Sequence, residues 1–310
     1  MSGSGGREVR VPVPWGELAG REWGEAAGAP WMALHGWLDN CGTFAPLAAL
    51  LPPGLHLLAL DLPGHGRSSH LPPGQAYHYL DHLAHVARVA RYMGWESFGL
   101  LGHSMGAGIA SLYAATFPDQ VRALVMLDLI KPTSRRVEEV VELTRAGVQG
   151  GLHLQQNTRP EKVYPTYEAA LERLMDNLKI VNLLKDTDEE KSMERVEASA
   201  RVLLERGLVE VEGGWRFTRD RRLQLPPTHG LGPDTLLELA AAIACPHLLI
   251  KAQSPAWDSE ELNRAVLAAY SRNPLHQHQA VHGPHHVHLL HPEVVAGPVR
   301  SFLAQNDLLT

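Results

Sequence analysis

Few residues of this 310-residue chain have both the type and the spacing to do chemistry, and the first is a serine. Gly102-His103-Ser104-Met105-Gly106 reads GxSxG, after the apolar run FGLL and before GAGIASLYAATF, a helical stretch ended by Pro118. A strand turning into a helix through one residue strains that residue's backbone, and small neighbours at Gly102 and Gly106 let the two elements pack closely. Ser104 then projects above the sheet edge, with the first amides of the following helix close to it, a setting suited to an anionic oxygen. With 28 glycines in the chain the spacing alone could be chance, so the strand and helix flanks carry the argument. His35-Gly36-Trp37 follows another apolar run, where a sharp turn can aim the Trp37 amide at the same pocket as the Met105 amide; a plain turn is the alternative.

A seryl hydroxyl is a poor nucleophile near neutrality and needs a histidine base, itself oriented by a carboxylate. His282, His285, His286, His288 and His291 crowd into HGPHHVHLLHP, between the last apolar run and the last helical pattern. Any one of them, taken alone, more often packs or faces solvent than catalyses. Asp128 ends VRALVMLD, and Asp258 follows the run HLLIKA in QSPAWDSEE. Either gives the order serine, aspartate, histidine. Asp258 is also placed, with Glu261 three residues on, to cap a helix.

The elements that must position these residues follow from hydrophobic period. WMALHG (31–36), LHLLALD (55–61), FGLLGHS (98–104) and VRALVMLD (121–128) predict buried strands of a mostly parallel sheet. EVRVPVPWGELAGREWG predicts an edge hairpin, because its prolines cannot donate to a ladder. Leu83, Val86, Ala87, Ala90 and Met93 share one face of a helix over 81–93, closed by Gly94. A second alternation follows: strand 245–252, helix from about 258 to 271, strand 275–281 and a helix from 291. Residues 131–235 interrupt the pattern with charged, leucine-bearing helical periods in YEAALERLMDNLKIVNLL and EEKSMERVEASARVLLERG, with Thr187 and Glu190 spaced as a capping box and a small hairpin around Gly213 and Gly214. The domain expectation is a core of 1–130 and 236–310 with a helical insertion at 131–235.

Composition excludes several classes. The net charge of −6 offers no basic field for phosphate backbones or anionic lipid, so neither nucleic acid nor membrane is an expected partner. Cys41 and Cys245 are the two cysteines, with no disulfide framework and no CxxC spacing for zinc. No targeting pattern is present and a cytoplasmic location is the default.

HGWLDN (35–40), DLPGHGRS (61–68), GHSMG (102–106) and GPHHVHLLHPE (283–293), in this order, resemble the α/β-hydrolase superfamily. VPVPWG, LLIKA with a following WDS, and HHVH look most like the serine hydrolase-like proteins within it. The resemblance implies an α/β fold: an eight-stranded, mostly parallel sheet with an antiparallel second strand, flanked by helices, and a helical cap inserted after strand six. It also implies that His285 is the base and His288 a packing or supporting residue. The commonest acid position of the family falls on Pro255, so the acid is expected at the end of strand six, on Asp128, with Asp258 as the alternative. Ser104 excludes the alkyl-ester chemistry of relatives that use an aspartate nucleophile. The expected activity is a serine hydrolase of the carboxylesterase kind, acting on a small-molecule acyl compound, with Ser104, His285 and Asp128 catalytic and the Trp37 and Met105 amides as the oxyanion hole. It needs neither cofactor nor metal. Alternatives are a hydrolase of C–C bonds with the same triad and a non-catalytic ligand-binding member of the fold.

Overall fold

An apolar run buried on both sides belongs in the middle of a sheet, and the hydrophobic runs lie there. The computed structural model describes residues 5–134, 137–156, 160–182, 189–226, 230–253 and 260–309. The strands are β1 (Arg7–Val13), β2 (Gly16–Trp23), β3 (Ala29–Leu34), β4 (Leu55–Leu60), β5 (Phe98–His103), β6 (Val121–Leu127), β7 (Leu208–Val211), β8 (Gly214–Phe217), β9 (His247–Ala252) and β10 (His276–Val281). The helices are α1 (Ala45–Ala48), α2 (Asp81–Met93), α3 (Met105–Thr116), α4 (Val137–Gln156), α5 (Tyr167–Asn182), α6 (Glu189–Gly207), α7 (Pro233–Ala241), α8 (Glu260–Tyr270), α9 (Val287–Leu290) and α10 (Pro292–Gln305).

Eight strands form one sheet in the order β1-β2-β4-β3-β5-β6-β9-β10. β2 is antiparallel to both β1 and β4, and the remaining pairs are parallel. β1, carrying Pro12, is an edge strand as its composition demands. Alternate residues of each central strand feed two cores. Met32, Leu34, Leu100, Leu124 and Met126 pack toward α2, α3, α7 and α8, whereas Trp31, Ala33, Leu101, Val125 and Ile250 pack toward α1, α9 and α10. This is the eight-stranded, mostly parallel sheet with an antiparallel second strand, flanked by helices, that the family resemblance implies.

α2 covers 81–93 as expected and ends at Gly94 in the left-handed region (φ 71°). Its inward face differs from the aliphatic stripe. His82 and His85 are buried there with Val86, Val89 and Ala90, while Leu83, Ala87 and Met93 sit at the margin. Their rings meet edge to face, and His85 also packs on Trp15, so aromatic contact replaces aliphatic burial.

Between β6 and β9 the chain holds α4, α5, α6 and the antiparallel pair β7–β8, with a parallel bridge of Ser134 to Leu231 where this stretch leaves and rejoins. α4 is a helix that neither quoted helical period foresaw, and Thr187 lies outside the described residues. Leu171, Leu174, Leu178, Val196, Ala200, Leu203 and Leu204 give α5 and α6 a core of their own, joined by Leu289 and Leu290 after α9 begins. The main polar tie to the sheet is buried: Arg206 of α6 donates from Nη2 to Asp61 Oδ2 at 2.7 Å and from Nε at 3.0 Å. Asp61 also accepts from the amides of Cys41 and Arg67, both at 2.8 Å. Burial alone would raise the Asp61 carboxyl, but the Arg206 guanidinium outweighs it and holds the group below the usual carboxylate range. Among the described residues no helix is long and apolar enough to cross a membrane.

Removing one partner of a buried ion pair leaves the other uncompensated. Arg206→Ala is therefore expected to cost about 3–5 kcal/mol in urea unfolding; a cost under about 1 kcal/mol would show that the pair does not anchor α6. Burial also depresses His35 to about 4 and His82 and His288 to about 3. The folded state thus binds fewer protons than the unfolded chain, whose histidines titrate near 6.5, so stability is full above that value and is lost as pH falls from about 6.5 toward 3. Melting temperature should fall steeply between pH 7.5 and 4.5, and a flat profile across that interval would contradict the burial of these rings as neutral groups.

Candidate active site

Ser104 sits between β5 and α3 with φ 50° and ψ −120°, a conformation L-residues rarely hold. The strain is tolerated because β3, β5 and α3 approach through glycine. A Cβ on Gly102 would lie 2.4 Å from the Ala107 Cα, and one on Gly106 would lie 1.9 Å from the Leu34 carbonyl oxygen. The Ser104 amide donates to Leu127 O of β6 at 3.0 Å, and the Ser104 carbonyl accepts from Ala107 and Gly108, starting the helix. Tyr79 OH donates to Met105 O at 2.8 Å, fixing the peptide that follows the serine.

Asp128 is the next residue after β6 and is also at positive φ (51°). Its amide donates to Ile250 O at 2.8 Å, which ties this second reversal to β9. The carboxylate is buried, and its two oxygens have different tasks. Oδ2 accepts from His285 Nδ1 at 2.6 Å. Oδ1 accepts from Lys251 Nζ at 2.6 Å and from the Ala252 amide at 3.0 Å. With Nδ1–H engaged by a carboxylate, His285 is held as the tautomer whose Nε2 carries the lone pair. The loop bearing His285 is strapped to the serine turn by His103, whose Nε2 donates to His285 O at 3.0 Å.

The loop after β3 stands against the serine: a Cβ on Gly36 would lie 3.4 Å from the Ser104 Cβ. Asp39 N donates to Gly36 O at 3.2 Å, closing a turn centred on Trp37 and Leu38, the latter at φ 61°. Two buried histidines hold this turn. His35 accepts from Leu62 N through Nε2 and donates from Nδ1 to Gly36 O; His65 accepts from Leu38 N and donates to Pro63 O. Desolvation lowers both below the ordinary imidazole value, so they stay neutral and serve one bond in each direction. The Trp37 indole, by contrast, is largely exposed and donates to Leu223 O.

The other histidines of the C-terminal cluster part company. His282 is exposed and bonded to Gln253, and His288 is fully buried with Nε2 2.9 Å from Thr43 Oγ1. His291 meets Arg195 of α6. His286 packs against His103 and comes within 3.8 Å of Asp39. Asp39, His103 and His286 together present three potential metal-ligating atoms, all buried. Asp258 lies outside the described residues. Residues that the sequence reading missed are Lys251, present in the quoted LLIKA, and His65, present in the quoted DLPGHGRS. Neither showed a partner in sequence, since Lys251 and Asp128 are brought together only by the β6–β9 pairing. A narrow cleft opens beside the loop after β3, lined by Leu38, Asp39, Leu174, Leu203, Phe217 and Arg219 among others, so α5, α6 and β8 meet the loop that carries Trp37, while Ser104, Asp128 and His285 are not part of the cleft's lining.

Comparison with known proteins bears on the fold that carries this arrangement. The model of a family described as the α/β hydrolase fold matches residues 32–180. A serine hydrolase-like protein of Danio rerio is 36% identical over 302 residues, covering 96% of this chain and 88% of its own length. A probable serine hydrolase of Drosophila melanogaster is 33% identical over 303 residues, with 96% and 88% covered. The crystal structure of a hypothetical protein from Pseudomonas aeruginosa superposes with a TM-score of 0.82 at 32% identity, over 96% of this chain and 98% of that one. Because these relatives match nearly end to end at 32% identity or more, and the family model spans the serine turn, the chain belongs to the α/β-hydrolase family, where its relatives are named serine hydrolase-like proteins.

Proposed function

We propose that the protein is a serine hydrolase that cleaves a carboxylic ester or related acyl compound through an acyl-enzyme. The observation that carries this reading is the 2.6 Å bond from His285 Nδ1 to the buried Asp128 carboxylate, made at the sheet edge where Ser104 stands on its strained turn. Ser104 Oγ bonds to the acyl carbon as His285 Nε2 takes its proton, and the carbonyl electrons move onto oxygen. The Trp37 and Met105 amides hold that oxyanion, each donor supporting ~3 kcal/mol of barrier lowering. Collapse breaks the bond to the alcohol, which leaves with the proton from His285; water then repeats the sequence and frees the acid and Ser104. Asp128 keeps His285 in the required tautomer and stabilises its cationic form, while Lys251 and the Ala252 amide keep the Asp128 carboxylate from rotating.

The stretch 131–235 acts as a cap over a core of 1–130 and 236–310. Its apolar residues Leu174, Leu203 and Phe217 line the cleft beside the loop after β3, which suits an apolar group on a small-molecule substrate that reaches from Ser104 past Leu38 into that cleft.

Ser104→Ala should fold normally, lose stoichiometric labelling by a fluorophosphonate and lose at least about a thousandfold in turnover of p-nitrophenyl esters. Retention of a tenth of wild-type turnover would remove Ser104 from the nucleophile role, and an unlabelled wild type would favour a binding protein. For the acid, Asp128→Asn should lower kcat by ~10⁴ because His285 is then held in the wrong tautomer. Asp258→Asn should leave kcat within a few-fold and mainly lower the melting temperature, through the loss of about 1 kcal/mol that removing a helix cap typically costs. The reverse pattern in matched kinetics and melts would transfer the acid to Asp258.

A further inference from the structure

Three buried polar side chains that the hydrolytic reading does not use as reacting groups converge beside the serine turn. Asp39, His103 and His286 each place one ligand atom so that all three atoms lie within 4.8 Å of one another. His286 Nε2 is 3.8 Å from Asp39 Oδ2, and the His103 and His286 rings are centred 4.9 Å apart. The three residues are 6%, 0% and 9% exposed, respectively. A buried oxygen or ring nitrogen without a partner costs free energy. By distance and angle, Asp39 Oδ2 and His103 Nδ1 nevertheless have no hydrogen-bond partner among the described residues, although the Thr43 hydroxyl lies near enough to the Asp39 carboxyl to lower it.

The opposite atoms of the same side chains are fixed. The Asn40 amide donates to Asp39 Oδ1 at 3.0 Å, and His103 Nε2 donates to His285 O at 3.0 Å. The second bond leaves the lone pair of His103 on Nδ1, and a backbone carbonyl on the far nitrogen is the usual support of a metal-bound imidazole. Space beside that nitrogen is kept by Gly36, where a Cβ would stand 3.1 Å from Nδ1.

We propose that Asp39 Oδ2, His103 Nδ1 and His286 Nε2 form a binding site for one divalent transition-metal ion of the zinc class. Two imidazoles and one carboxylate suit Zn²⁺, Co²⁺ or Ni²⁺, whereas Ca²⁺ and Mg²⁺ require mostly oxygen ligands. Ligands at about 2.0–2.2 Å around a tetrahedral ion lie roughly 3.4 Å apart, so the Asp39 to His286 pair at 3.8 Å needs a small closure and the other pairs, within 4.8 Å, a larger one. Desolvation lowers both imidazoles, which keeps them in the neutral, ligating form, and raises the Asp39 carboxyl to about 7, so ion binding must displace a proton there. The ion ties the loop after β3, the end of β5 and the loop of His285 to one another. These segments carry the Trp37 amide, Ser104 and His285, so occupancy restrains the whole site and does not supply a reacting group.

Titration of the chelator-treated full chain with CoCl₂, read by visible d–d absorption, is expected to saturate at one equivalent with a micromolar Kd and to be reversed by ZnCl₂. Because the readout is the ion's own spectrum, Ser104→Ala should titrate like wild type, which separates this site from the hydrolytic reading. Asp39→Asn and His286→Gln should each weaken binding by at least about a hundredfold. The exposed His278→Gln and His282→Gln serve as controls for the other histidines and should change nothing. Anomalous diffraction from crystals soaked in ZnCl₂ tests the site without a substitution, with a peak expected among the three ligand atoms. No binding below millimolar, a Co²⁺ spectrum unchanged by Asp39→Asn and His286→Gln, or an anomalous peak only elsewhere would overturn the site.

Discussion

One reversal of chain direction, made within a single residue at Ser104, sets the terms for everything around it. β5 lies inside the sheet between β3 and β6, so its strand cannot end gradually; α3 must start at once and lie back across the sheet. A φ of 50° at a residue bearing a Cβ is stable only when neighbours over-determine it. The Leu127 carbonyl fixes the Ser104 amide, and the absence of side chains at Gly102 and Gly106 lets α3 touch β3 and β5. Any larger residue at either glycine would meet backbone, which cannot move aside as a flexible side chain can.

The same edge carries a second reversal, at Asp128, and the two are coupled through β6. Leu127 O accepts from Ser104, and the next residue is the carboxylate that holds His285. β9 then contributes from the other side, with the Ile250 carbonyl taking the Asp128 amide and the Ala252 amide and Lys251 ammonium occupying Oδ1. A buried carboxylate needs its lone pairs engaged, and dividing them between a cation and a histidine leaves neither oxygen without a bond. The acid's position is thus a property of three neighbouring strands, β5, β6 and β9.

That dependence explains what could be read from sequence. Strand runs were legible because residues buried on both faces leave a continuous apolar signature, and α2 was legible from its closing glycine. Ser104 stood out from its strand and helix flanks, whereas the residues left five histidines and two aspartates open until the family resemblance favoured His285 and Asp128, whose pairing is now a distance. Lys251 was not legible, since a lysine at the end of a strand reads as a solvated terminus until β6 is set beside β9. His82 and His85 were absent from the expected inner face of α2, because histidine can fill a core through ring contacts that periodicity scores as polar. α4 escaped because several of its apolar residues, such as Val141 and Val148, face outward and blur its period.

The α4–α6 stretch has its own apolar core, so its registration on the sheet must come from something more specific than greasy contact. The Arg206–Asp61 pair provides it. Two charges removed from water are stabilised only in a near-ideal geometry, and displacement by even an ångström leaves both desolvated and poorly paired. Asp61 sits at the end of β4, and its backbone neighbours lead into the loop whose His65 holds Leu38 beside Trp37. The requirement that keeps α6 in register therefore acts on the same loops that shape the serine's surroundings. Leu203 and Leu204, three and two residues before Arg206 on the same helix, are carried with it to the cleft wall. A sliding apolar contact could not couple the cleft's shape to the site in this way, because hydrophobic attraction has no preferred direction, whereas a forked guanidinium on a carboxylate has one.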